Sequence, residues 1–409
     1  MRSIEDVRGQ ILASVRRTGV ESVSLDEALG RVLATPVVAP HDVPSFSNSA
    51  MDGFAVRSSD VNSPDAVLAI VDDVAAGQTA VVEVGDGQAV KIMTGAPMPP
   101  GADTVVRVED TEEEDGKVRI ITAVEAGTSV RAPGGDVKAG STVFGAGVRI
   151  TEAHIGTLAT IGVIAPSVMR RPRVAVMSTG DELVPAATEF LEPGMIRDSN
   201  RPMILGLVAD AGAEPVDFGT IPDDADSFRA ALGEAAATTD AIVTSGGVSM
   251  GEYDVTKMVL RDEADVEFYP VAMKPGKPQG FGVVGGKPFF GLPGNPVSVF
   301  VSFEQFVRPA LLQMQAAHAL LRPRVMGMAG AGFESDPAKE EFIRVRFETD
   351  SARLRCVPTG GQGSHVLSGV ANADAFLVMQ VGVERVEVDA PVLVEMFRSR
   401  ETRSVDVGT

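Results

Sequence analysis

The sequence predicts a multidomain α/β protein. It has a doubly wound, mostly parallel sheet domain, an inserted mostly-β domain, an extended N-terminal framework and a C-terminal β domain. Three observations predict it. Between residues 173 and 300, short apolar runs of strand type alternate with helix-length segments, the pattern of right-handed crossovers over a parallel sheet. From about 45 to 140 the pattern changes to short β-like runs broken by Gly and Pro. Past Arg322 it becomes β again. These shifts set the expected domains: 1–44 with 141–172 for the framework, 45–140 for the inserted domain, 173–325 for the doubly wound domain and 326–409 for the C-terminal domain.

Taken in order, Ile4, Val7, Ile11, Leu12 and Val15 fall at helical spacing within residues 3–17, and a second helix is expected over 25–33. A proline-punctuated segment, 36–44, leads into strands at 66–71, 89–93, 104–108 and 118–121, and a helix at 155–161 returns the chain to the framework. The doubly wound domain then reads as strands at 173–177, 216–220 and 241–244, with helices at 200–211, 224–237 and 255–264. Strands at 266–272, 281–284 and 288–291 follow, and its last helix starts near Pro296. C-terminal strands are expected at 342–347, 353–358, 375–381 and 392–397.

Composition narrows the function classes. With 44% hydrophobic and 22% charged residues over 409 positions, the chain is globular, with length for about two to four domains. A net charge of −20 repels nucleic acid and anionic lipid, so neither is an expected partner. No apolar run reaches the roughly 18 residues of a membrane span, and the acidic start, Ser3-Ile4-Glu5-Asp6, is unlike a signal peptide. The single Cys356 excludes a disulfide framework. The expected location is cytoplasmic, with no nucleic-acid and no membrane partner.

The most informative stretch is 271–302. It holds Lys274-Pro275-Gly276-Lys277-Pro278, then two short apolar runs, then Leu292-Pro293-Gly294-Asn295-Pro296-Val297-Ser298 entering a helix. The first motif places two ammonium groups on a proline-stiffened stem. In the second, Asn295 suits a helix N-cap and Pro296 the first helical position, leaving first-turn N–H groups for an anion. Two other loops are expected at carboxyl ends of parallel strands, where ligands of such sheets bind. Ser178-Thr179-Gly180-Asp181-Glu182-Leu183 is one, and Ser245-Gly246-Gly247-Val248-Ser249-Met250-Gly251-Glu252-Tyr253-Asp254 is the other. Small residues such as Gly246 and Gly247 let backbone N–H groups approach a phosphate, and Asp181, Glu182 and Asp254 are carboxylates suited to Mg²⁺. Asp254 also reads as a helix cap. Histidines 41, 154, 318 and 365 form no metal-binding spacing, and no Ser-His-Asp triad assembles locally. The chemistry reads as positioning plus charge neutralisation at a phosphate or oxoanion.

Taken together, several segments resemble the MoeA family of molybdopterin molybdenumtransferases, to which the gephyrin E domain also belongs. They are residues 49–56 (Ser-Ala-Met-Asp-Gly-Phe-Ala-Val), 93–97 (Met-Thr-Gly-Ala-Pro), 178–183, 245–249, 274–278 and 292–298. The resemblance spans nearly the whole chain with the motifs in the family's order. It implies the last step of molybdenum cofactor synthesis: adenylylated molybdopterin plus molybdate gives molybdenum cofactor plus AMP, with Mg²⁺. It also implies a homodimer whose cleft lies between the doubly wound domain of one subunit and the β region of the other, and a molybdopterin adenylyltransferase as a candidate partner.

Carried over by motif, Asp254 and Glu182, with Asp181, serve the metal and the pyrophosphate. Lys274, Lys277, Ser298 and Arg344 line the molybdate and pterin-phosphate pocket, with Ser249, Gly246, Gly247, Pro293, Asn295 and Pro296 around it. Ser364 is a candidate from the C-terminal domain, and Asp52, Thr94 and Asp136 reach the cleft from the second subunit. Gly135 departs from the acid that the family usually places before Asp136. Two other readings stay open: a molybdopterin adenylyltransferase, which residues 173–325 resemble but whose family lacks the flanking domains, and a gephyrin-type scaffold.

Overall fold

Apolar runs without alternation between residues 173 and 292 build one six-stranded sheet, in the order Glu214–Ile221, Arg173–Thr179, Ala241–Ser245, Lys287–Leu292, Pro278–Val284, Asp265–Pro270. The first four strands are parallel. Pro278–Val284 pairs antiparallel with Lys287–Leu292 through the expected hairpin, and Asp265–Pro270 pairs antiparallel with Pro278–Val284. The structure, a computed structural model, describes residues 1–247, 257–260, 265–350 and 353–397. The central strands are buried on both faces, which is why their sequences read as continuous apolar runs. Val174 and Val176 pack with Ile204 and Val208 on one face, while Ala175 and Met177 pack with Phe228, Leu232 and Ala235 on the other. This is the double winding that the alternation predicts.

The chain divides into two compact units. The larger takes in Met1–Glu21, Gly30–Ala34 and the described residues from Val168 onward. The helix Ile4–Ser14, capped by Ser3 Oγ accepting from the Asp6 N–H, belongs to it. Its Ile4, Val7 and Ile11 enter the same core as the sheet, so residues 1–21 depart from the framework expected for 1–44.

The C-terminal strands close on themselves. Glu340–Asp350 pairs with Arg353–Pro358 and also with Ala375–Met379. Arg324–Ala329 and Pro391–Met396 complete the ring. The short strand Met273–Lys274 adds to it, parallel to Glu340–Asp350. Phe376 contacts Phe300 of the helix Pro296–Ser302 at 5.8 Å between ring centroids and Phe397 at 4.5 Å, joining barrel and sheet in one core.

Between them runs a buried polar seam. The helix Pro296–Ser302 passes through a π turn, Phe303–Val307, into Arg308–Met314. Glu304 in that turn receives Nε and Nη2 of Arg322 at 2.9 and 3.0 Å. Gln305 accepts from Arg8 at 2.7 Å and donates to Glu395, which Arg324 holds at 2.9 Å. Burial pushes the Glu395 carboxyl pKa up, against the pull of Arg324 and Gln305.

The smaller unit, Ser22–Leu29 with Thr35–Ser167, carries a second six-stranded sheet, ordered Thr104–Arg107, Gly53–Val56, Gln88–Ile92, Ala66–Val74, Lys117–Ile120, Thr111–Glu114. Its strand Gly53–Val56 was not expected. All four residues are buried, so no alternation marks it, and a Cβ on Gly53 would lie 2.0 Å from the Val106 carbonyl oxygen. Helix lengths also differ from expectation. The helix over 25–33 stops at Ala28, ahead of Gly30 at φ +73°. The helix expected at 155–161 starts earlier, at Glu152, because Thr151 and His154 form a capping box. Among the described residues no helix is long and apolar enough to cross a membrane.

Candidate active site

The carboxyl ends of the parallel strands gather one group of candidates. Asp181 and Glu182 lie exposed just after Arg173–Thr179, and Asp181 Oδ1 accepts from the Asp223 N–H at 3.1 Å. Gly246 and Gly247 follow Ala241–Ser245, and the Gly246 N–H is engaged by the Leu292 carbonyl at 3.2 Å. Pro293, buried, and Asn295, exposed, follow Lys287–Leu292. Asn200 ties the two loops together: its Nδ2 donates to Ser245 Oγ at 2.8 Å and to the Gly294 carbonyl at 2.7 Å. Ser249 and Asp254 lie outside the described residues.

Oxygen donors suit Mg²⁺, which characteristically takes one or two carboxylates and completes its shell with water and substrate phosphates. Glu182 and Asp181 fit that donor class. Among the described residues no larger His, Cys, Asp or Glu group gathers as a metal site.

The second group forms around the lysine turn. Lys274 Nζ pairs with Glu341 Oε1 at 2.8 Å, and Glu341 is only 6% exposed. Lys277 is exposed and, among the described residues, has no carboxylate partner. Gly276 sits at φ +99°, and a Cβ there would meet Ser302 Oγ at 2.9 Å, so the turn requires glycine. Gln279, 4% exposed, fixes the turn to the helix Pro296–Ser302. Its Nε2 donates to the Gly276 carbonyl and to Ser302 Oγ, each at 2.6 Å.

Two sequence expectations about this helix start change here. The first-turn N–H of Val297 is engaged by the Ser364 carbonyl at 3.0 Å, so the C-terminal domain, rather than a ligand, occupies that donor. Asn295 stands at the N-cap, but its side chain makes no capping bond. Pro296 fills the first position as expected, and Ser298 is buried beside it. Arg344, expected to line the pocket, is fully buried. Its Nη2 donates to the carbonyls of Gly361 and Gly363 at 2.8 and 3.2 Å, so it holds the loop that presents Ser364. Burial lowers the Arg344 pKa, opposed by the charge of Glu341.

The smaller unit carries the third group by itself. Asp52 Oδ1 accepts both the backbone N–H and the hydroxyl of Thr94, each at 2.7 Å. These bonds, the backbone one first, lower the Asp52 pKa and keep it ionised. Asp136 lies exposed two residues after Gly134.

Sequence reasoning missed Asn200, Gln279 and Glu341. Gln279 had a signal, a lone amide opening an otherwise apolar strand; Asn200 and Glu341 sit in polar runs that read as surface. Replacing Gln279 with leucine keeps its volume and removes both bonds to the turn. Oxoanion affinity is expected to fall about fivefold to tenfold, the worth of a buried hydrogen bond. Titration with molybdate checks this. Unchanged affinity with a lowered melting temperature would leave Gln279 with a structural role alone.

Known proteins match the chain along most of its length. Three family models match in succession: MoeA N-terminal region (domain I and II) over residues 2–162, "Probable molybdopterin binding domain" over 175–313, and MoeA C-terminal region (domain IV) over 327–397. A relative called molybdopterin molybdenumtransferase 2, from Mycobacterium tuberculosis, is 38% identical over 387 residues, covering 92% of this chain and 95% of its own. Molybdopterin molybdenumtransferase of Haemophilus influenzae is 34% identical, covering 97% and 99%. The crystal structure of the molybdopterin biosynthesis MoeA protein from Pyrococcus horikoshii OT3 superposes with a TM-score of 0.86 at 28% identity, covering 97% of this chain and 100% of that one.

Proposed function

The chain belongs to the MoeA family of molybdopterin molybdenumtransferases, and from that membership we infer that it inserts molybdenum into molybdopterin in molybdenum cofactor biosynthesis. In the finer reading, its substrates are adenylylated molybdopterin and molybdate, and its products are molybdenum cofactor and AMP. One observation carries this reading: the segment Pro293–Ser302 touches both halves of the site. Asn200 binds its Gly294 carbonyl on the glycine-loop side, and Gln279 binds its Ser302 hydroxyl on the lysine side. A phosphate-bearing substrate and an oxoanion would therefore lie against one rigid element.

In this reading Gly246 and Gly247 serve the pyrophosphate, and Glu182 with Asp181 would hold Mg²⁺, together with Asp254. The ion would neutralise pyrophosphate charge as AMP departs. Lys277 attracts and orients molybdate. Lys274, paired to Glu341, limits how much positive charge the turn presents. Asp52 with Thr94, and Asp136, act from the second copy of a homodimer, and a molybdopterin adenylyltransferase supplies the substrate.

Incubating the protein with adenylylated molybdopterin, molybdate and Mg²⁺ tests the reading. AMP and active cofactor should appear together, fall away when the metal is chelated, and come from a species that sediments as a dimer. AMP formed without cofactor would overturn it, and consumption of ATP with unmodified molybdopterin would favour the adenylyltransferase instead.

A further inference from the structure

The amino ends of the same parallel strands enclose a cavity of about 250 Å³. Arg170 and Asp240, which precede two of the strands, line it, as does Lys287, which opens a third. Arg16, Arg17 and Thr18, just past the helix Ile4–Ser14, close the other side. At about 3.3 Å per residue, the strands separate this cavity from the loops of the candidate active site by roughly 20 Å.

The polar groups of the wall are already engaged, with one kind of exception. Ser14 Oγ donates to the Ile11 carbonyl, and Thr18 Oγ1 donates to the Arg170 carbonyl. Both Asp240 oxygens accept from Arg170, at 2.8 and 2.9 Å, and one also accepts the Arg173 N–H. Asp240 therefore has little capacity left to neutralise further charge. The exceptions are Arg16 and Arg17, whose side chains have no ion-pair or hydrogen-bond partner among the described residues, and Lys287, whose charge acts on Asp240 without a direct bond to it. The cavity is thus lined by four cations, Arg16, Arg17, Arg170 and Lys287, against one carboxylate, Asp240, on a chain whose net charge is −20, and an anion would neutralise that local excess.

We propose that this cavity binds a phosphate group, free or as a small phosphomonoester, with Arg16, Arg17 and Lys287 as its ligands. Guanidinium groups match tetrahedral oxygens with paired donors, and the volume is below the usual range for large cofactors. The reading is independent of the catalytic assignment.

Calorimetric titration of the full chain with inorganic phosphate at low ionic strength tests it. A Lys277→Ala background removes the lysine turn as a competing site. Phosphate should still bind there, and Arg16→Ser with Arg17→Ser should weaken it about tenfold or more, the loss of a charge-assisted contact. Both arginines are exposed, and an unchanged melting temperature would verify the fold. Lys287→Ser should weaken binding in the same direction. Competition by AMP would identify a phosphomonoester as the form recognised; its failure to compete would identify the free ion. Affinity indifferent to Arg16 and Arg17, or abolished by Lys277→Ala alone, would overturn the proposal.

Discussion

Lys277→Ala is expected to raise the molybdate KM about tenfold to a hundredfold, with kcat at saturating molybdate nearly unchanged. The size is that of one hydrogen bond to a charged group. The reasoning rests on the inequality of the two lysines. Lys274 is paired at 2.8 Å with the buried Glu341, whereas Lys277 is exposed and unpaired among the described residues. Lys277 therefore supplies most of the net positive charge that an approaching dianion meets. Lys274→Ala should fail differently. It strands the buried Glu341 carboxylate without its partner, so it should lower the melting temperature as well as raise the KM. The Lys277→Ala variant should keep the parent melting temperature. Measuring the molybdate KM and thermal unfolding in both variants separates the two, and equal effects on both quantities would contradict the division of roles.

Glu304→Ala is expected to cost about 3–5 kcal/mol of stability and to lower the melting temperature by roughly 10 °C. Glu304 is 3% exposed and receives a two-pronged contact from Arg322, with Arg308 3.9 Å away. Among the described residues, removing it leaves the Arg322 guanidinium with the exposed Asp210 contact alone, at 2.8 Å, and leaves Arg308 nearby. Buried ion pairs add little over a well-packed apolar replacement, but breaking one side leaves a charge without compensation. Pairing Glu304→Ala with Arg322→Met should accordingly recover part of the loss. Thermal unfolding measures both, and a shift of less than about 2 °C for the single variant would show that the seam relaxes without strain.

The sheet domain was legible because short continuous apolar runs, the mark of strands buried on both faces, alternate with helix-length segments. The lysine turn could be located because its prolines and glycine punctuate the apolar runs on either side of it. What stayed hidden depends on distant partners. Nothing near Val297 announces that its N–H meets the carbonyl of Ser364, and nothing near Arg344 announces that it is sealed beneath its own loop. The strand at Gly53–Val56 was hidden by its shortness and by its opening glycine, which reads as a turn. Asp52 could be singled out beside its glycine, but its partnership with Thr94 required the fold.

The lysine turn has its two ends in different ladders: Met273–Lys274 is zipped to the barrel strand, and Pro278–Val284 to the main sheet. Side chains alternate faces with every residue along a strand, so gaining or losing one residue between positions 274 and 278 would force a register slip in one ladder. Either slip turns a whole row of core side chains toward water. The segment can thus vary in chemistry far more readily than in length, and its spacing acts as a ruler fixed at both ends.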